Sequence, residues 1–199
     1  MTINRREFIG AGLAIMGAGL AGCAGSGGSS DWVTLVDGKS VPAGWKQLGE
    51  GNWRVVDGTL QGANGKAGYL VSPASYTDFE IRAEFWGDAE ANSGIFIRCQ
   101  DPAKVGAATS YEVNIWDKRP DPTYGTGAIV DFAAVAQPYP KSANRWNVFE
   151  IRAVGDRVTV WLNGQQTADL VRAKFLKGPF ALQSAGGTIR FRKVEIRTL

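Results

Sequence analysis

Histidine is absent from all 199 residues. This excludes Ser–His–Asp and Cys–His nucleophilic catalysis, His-ligated zinc and histidine proton shuttles. Acid–base work is left to Asp, Glu, Lys or Tyr. Cysteine is scarce, with only Cys23 and Cys99, so no disulfide framework organises the chain. No segment keeps a 3.6-residue apolar period over ten or more positions, which argues against long helices. A strong charge of one sign is also missing. The formal net charge is +3, and the dense basic run is confined to Arg190-Phe191-Arg192-Lys193. Those residues largely alternate with apolar ones and read as the outer face of a strand, so nucleic acid is not an expected partner.

What is abundant points to β-structure. Seven Trp and 26 Gly in a chain with 44% apolar content fit a sandwich with many tight turns. The first thirty residues read differently. Asn4-Arg5-Arg6-Glu7-Phe8-Ile9 resembles a twin-arginine export signal. Residues 8–22 are small and apolar, too short and Gly-rich for a membrane span but suited to a signal core. Leu20-Ala21-Gly22-Cys23 resembles a bacterial lipobox. The expected organisation is therefore a signal at 1–22, a lipidated Cys23, a Gly/Ser tether through residue 30, and one domain at 31–199. The anchor would hold the domain at a membrane, facing the periplasm or on the outer membrane, since Ala24 follows the cysteine. Signal removal takes away Arg5, Arg6 and Glu7 and leaves a mature charge of +2. Cys99 is then expected to be a small buried residue, and the domain a monomer.

From Asp31 onward, short alternating runs are broken by Gly, Pro and Asn. Phe79–Trp86, Gly94–Cys99, Tyr111–Trp116, Val148–Ala153 and Val158–Leu162 read as strands. A further run at Ile189–Phe191 resumes at Val194, and Asn163-Gly164 marks a tight hairpin. Strands this short and evenly spaced predict an all-β sandwich of two antiparallel sheets. Parity places Val113 and Ile115 on one face and Glu112, Asn114 and Trp116 on the other. The second face could simply be solvated. Equally, carboxylate, amide and indole in one row fit a sugar site, because polar groups bind hydroxyls and an indole stacks on pyranose C–H bonds.

An ordered series of landmarks follows: Asn92-Ser93-Gly94-Ile95 with Arg98, Tyr111-Glu112 with Asp117, Gly125-Thr126-Gly127-Ala128-Ile129, Arg145-Trp146-Asn147, Leu162-Asn163-Gly164 and Leu182-Gln183. Together they resemble the bacterial 3-keto-disaccharide hydrolase family over residues 31–199. The resemblance implies a concanavalin-like jelly roll, related in shape to laminarinase-like glycosidases, that cleaves 3-oxo-glycosides. It implies Glu112 as the base for the C2 proton, Arg98 as oxyanion stabiliser or substrate ligand, and Asp117 as leaving-group assistant. Asn114 and Gln183 would bind hydroxyls and Trp116 would stack. Tyr111 reads as structural, because its parity puts it on the aliphatic face. A retaining hydrolase with two carboxyls about 5 Å apart does not fit, since Glu112 and Asp117 have opposite parity in a regular strand. Members of the family often carry histidine after the position of Gln183, where this chain has Ser184-Ala185-Gly186. No cofactor is predicted, although an oxygen-ligated divalent metal such as Ca²⁺ is compatible with the residue types. The alternative is a non-catalytic, lectin-like sugar-binding domain. The two readings differ in whether Glu112 and Asp117 open into one pocket.

Overall fold

A computed structural model describes residues 31–63 and 66–199. The export signal, Cys23 and the tether fall outside the described residues. Among the described residues, no helix is long and apolar enough to cross a membrane.

Among the described residues thirteen strands form two antiparallel sheets, as the alternating sequence predicts. They are β1 (Val33–Val36), β2 (Lys46–Gly49), β3 (Arg54–Val56), β4 (Thr59–Ala63), β5 (Gly68–Val71), β6 (Phe79–Gly87) and β7 (Ser93–Ile97), followed by β8 (Tyr111–Ile115), β9 (Trp146–Val154), β10 (Arg157–Leu162), β11 (Gln165–Leu170), β12 (Ala181–Ser184) and β13 (Thr188–Thr198). The larger sheet runs β11-β10-β9-β6-β13-β4-β3, with β1 also pairing β13. The smaller runs β2-β5-β12-β7-β8. This is the jelly-roll sandwich expected from the sequence. The core lies between the sheets, where Ile81, Ala83 and Phe85 of β6 meet Ile95, Ile97, Tyr111 and Val113 of β7 and β8. Phe85 stacks on Phe149 at 4.8 Å, an offset pairing that adds to the area it buries.

Local chemistry accounts for the joins. Asn163 and Gly164 both take positive φ, 51° and 81°, and Leu162 pairs directly with Gln165. This two-residue turn has the twist that antiparallel strands require. The interruption near Arg192 is a register shift between Phe191 and Lys193 inside one continuous β13. A bulge keeps Phe191 and Val194 both buried despite their odd spacing.

Of the two readings for the second face, a solvated surface does not hold for β7 and β8, since every residue of both strands is buried. The cover comes from connecting segments. The 127–130 segment runs along the free edge of β8, with Asn114 N donating to Ala128 O and Val130 N to Glu112 O, both at 3.0 Å. Val105 packs with Val71, Phe96, Cys99 and Ala181 as a second small apolar cluster on the outer face.

Candidate functional site

The outer face of the five-stranded sheet is assembled by strand register. One row reads Lys46, Val71, Ala181, Phe96, Glu112. The adjacent row holds Leu48, Tyr69 and Gln183, then Gly94 opposite Asn114. Sequence parity places Glu112 and Asn114 on one face correctly, and strand register brings in Gln183, which the family resemblance had offered, from a strand distant in the chain.

Glu112 is the unusual group. Its residue is 8% exposed, and its carboxylate accepts no hydrogen bond from a described residue. Burial pushes its pKa up to about 7; Arg119 opposes the shift and Asp131 adds to it. A carboxylate stripped of water favours its neutral form. The side chain lies over β7, where a Cβ on Gly94 would sit 3.1 Å from Glu112 Cγ and 3.2 Å from Oε1. Glycine at 94 thus serves a close approach, the space being filled by the acid itself.

Two amides face the same region with unspent oxygens. Asn114 is fully buried, and its Nδ2 donates to Tyr124 O at 2.7 Å. Gln183 Nε2 lies 3.4 Å from Tyr69 Oη. Asn114 Oδ1 and Gln183 Oε1 are both buried without a partner, a rare and costly condition inside a folded protein. Trp116 is half-buried just past the end of β8, with the Arg119 guanidinium 5.6 Å over its ring.

Two predicted catalytic residues are elsewhere. Arg98 follows β7 with φ of +52°, a left-handed turn that breaks strand parity. Its side chain is fully buried and pointed away from Glu112. It donates to Thr77 O at 2.6 Å, Gly155 O at 2.7 Å and Phe175 O at 3.2 Å, and pairs with Asp78 at 3.4 Å. It staples three loops and has no access to substrate. Asp117 is likewise spent. Its carboxylate accepts from Ser142 N at 2.8 Å, Ala143 N at 2.9 Å and Thr126 Oγ1 at 2.6 Å, so it organises the connection into β9. Glu112 and Asp117 do not share a pocket. Tyr111 is structural as expected, fully buried, with Phe175 N donating to its hydroxyl at 2.8 Å. Cys99 is buried and free, its thiol pushed up to about 11 by burial.

Sequence reasoning missed Tyr69 and Arg119. Tyr69 alternates with core-facing Leu70, so parity alone could have placed it on this face. Arg119 lies in a loop, where no periodicity reports direction.

A cleft of about 420 Å³ lies between Trp32 and Trp161 on the other sheet, and one of about 540 Å³ lies at the Lys46 and Val71 end of this face, beside Gln100. The first is floored by acids paired with arginines, and the second has no acid in its lining. Neither offers a base. Among the described residues no cluster of three or more Asp, Glu or Cys is placed to hold a metal ion, and Glu112 has a guanidinium for a neighbour.

A jelly-roll sandwich with an acid and amides on one sheet face belongs among carbohydrate-active β-sandwiches. The chain is a member of the family of 3-keto-alpha-glucoside-1,2-lyase-like domains, whose model matches residues 31–197. No curated protein matches it in sequence. Among solved structures it is similar to a candidate glycosyl hydrolase from Parabacteroides distasonis ATCC 8503, with TM-score 0.75 and 20% identity over 84% of this chain and 94% of that one. A second candidate glycosyl hydrolase from the same organism gives 0.68 and 24%, covering 85% and 100%. The carbohydrate-binding module CBM66 from Bacillus subtilis gives 0.60 and 18%, covering 85% and 97%.

Proposed function

We propose that this protein cleaves 3-oxo-glycosides by elimination, with Glu112 removing the proton on C2. The observation that carries the reading is a buried, unpaired carboxylate with a pKa near 7, beside two amide oxygens lacking partners. A base poised near the working pH combines availability with driving force. The C3 ketone makes the C2 proton acidic, and its oxygen takes up the charge when the proton leaves. The electron pair then forms the C1–C2 double bond as the C1–oxygen bond breaks. The products are a 1,2-unsaturated 3-oxo sugar and the aglycone, and addition of water to the double bond gives net hydrolysis. Arg119 is the nearby cation that favours the enolate, replacing Arg98 in that role. Gln183 offers its amide to sugar hydroxyls, Asn114 backs the site from a fully buried position, and Trp116 provides an indole at the rim. The test is C2–H exchange into D2O with a 3-oxo-glucoside. Wild type exchanges and releases aglycone, whereas Glu112→Gln does neither while keeping its circular dichroism spectrum. Full activity in that variant overturns the reading.

One observation favours a second reading. Asp117 is turned into its loop and leaves Glu112 without a catalytic carboxylate partner, as a sugar-binding module would allow. Under that reading, calorimetry detects binding of an unoxidised glucoside and no C2 exchange occurs.

For residues 1–30 we propose export by the twin-arginine route and lipidation at Cys23, supported by the order and spacing of the two motifs. Incorporation of labelled palmitate that disappears in Cys23→Ala tests it.

A further inference from the structure

We infer that Tyr69 is the catalytic acid of the elimination, delivering its phenolic proton to the departing aglycone oxygen. The inference rests on the Glu112 reading above. Elimination needs two groups, one at the C2 proton and one at the C1 oxygen. With Arg98 and Asp117 committed to loops, no sequence-predicted residue remains for the second task.

The geometry supplies it. Tyr69 projects from β5 toward β12, where its hydroxyl meets Gln183 at 3.4 Å. The carboxylate of Glu112 lies over Gly94 of β7, the next strand along from β12. Tyr69 and Glu112 belong to β5 and β8 of one sheet face, the phenol leaning from one side to Gln183 and Phe96 and the carboxylate from the other over Gly94. Both groups thus face the ground above β12 and β7, and a sugar ring seated there would have one on each side. The Tyr69 ring is fixed edge-on against Phe96 at 5.3 Å, so the hydroxyl is held rather than free to swing. Burial raises the phenol's pKa, and the charge on Glu112 adds to the rise. The Gln183 contact opposes the rise, and Tyr69 is the group of the two that keeps its proton where Glu112 loses one.

The step balances without any further reactant. Glu112 gains the C2 proton, the C1–O bond breaks, and the leaving oxygen takes the Tyr69 proton. Afterwards the phenolate and the carboxylic acid exchange a proton through solvent, restoring both.

Tyr69→Phe, which keeps the ring and its packing, is compared with wild type on two 3-oxo-glucosides. One carries 4-nitrophenol, which leaves readily as an anion, and the other a simple alkyl alcohol, which needs protonation. The expected result is a loss of about 100-fold or more in kcat for the alkyl glycoside, of the size general acids contribute. The loss for the nitrophenyl glycoside is less than about fivefold, and C2 exchange into D2O continues because Glu112 is intact. Equal losses on both substrates, or no loss on either, would overturn the assignment. If wild type shows no C2 exchange, the Glu112 reading fails first and takes this one with it.

Discussion

The two outer faces of the sandwich treat charge in opposite ways. On the eight-stranded sheet every acid is answered. Glu80 pairs with Arg152 at 3.0 Å and with Arg197, Glu84 with Arg192, and Arg82 with Glu150 at 3.0 Å. Trp32 lies under Arg82 and Arg197 at 5.0 and 4.9 Å. These pairs are solvated, which makes them forgiving and nearly neutral in energy. On the five-stranded sheet a single acid is buried and left without a hydrogen-bonding partner. The first face is what a sequence uses to stay wet. The second retains a buried carboxyl whose ionisation burial opposes, a cost in folding free energy of the kind that clusters at functional sites.

That contrast can be broken in four places. The largest stability effect belongs to Arg98, whose side chain is fully buried where that of Arg82 is 44% exposed. Arg98→Met should cost about 3–5 kcal/mol, because three backbone carbonyls and Asp78 lose their donor. Urea unfolding measures it. Next is Glu112→Gln, which should stabilise the fold above pH 7. Between pH 4.5 and 7 the folded carboxyl holds a proton that the unfolded one has released, so wild-type stability falls as pH rises through this window. The gain in the glutamine variant should be near zero at pH 4 and on the order of 3 kcal/mol at pH 8, read from paired unfolding curves. The same ionisation should make C2 exchange rise with pH through about 7. Third, Gly94→Ala drives a methyl into the Glu112 carboxylate. It should lower activity and cost about 1–3 kcal/mol, with the pH profile of the remaining activity displaced from that of wild type. Smallest is Glu150→Gln on the other face. It should change stability by less than about 1 kcal/mol, with a difference that shrinks in high salt. A loss of several kcal/mol there would erase the comparison.

The sequence made one class of fact readable and hid another. Period-two alternation placed β6, β8 and β9 and assigned the inward faces, because burial on one side leaves a mark on every second residue. It anticipated the turn at Asn163-Gly164 and the break after Phe191. It could not show that Arg98 departs from its strand's parity, since that depends on one backbone dihedral. Nor could it show that Glu112 and Asn114 are covered, because the covering segment is a connection whose composition carries no direction. Asp117 looked like an acid near a site and proved to be the cap of a loop; only hydrogen-bond partners separate the two. Tyr69 is the opposite case, a residue whose parity was legible but whose hydrogen-bond partner Gln183 lies 114 positions away.

The segment along β8 has a colloidal consequence. Residues 127–130 occupy the backbone groups that an edge strand would otherwise offer to another chain. At the opposite edges β2 has four residues and β3 three, and β11 carries an irregular register against β10. No long, flat ribbon of unpaired amides is left on which copies could stack. A β-rich protein built this way should stay dispersed when crowded together at high local density, even though both of its sheets are rich in the residues from which fibrils are made.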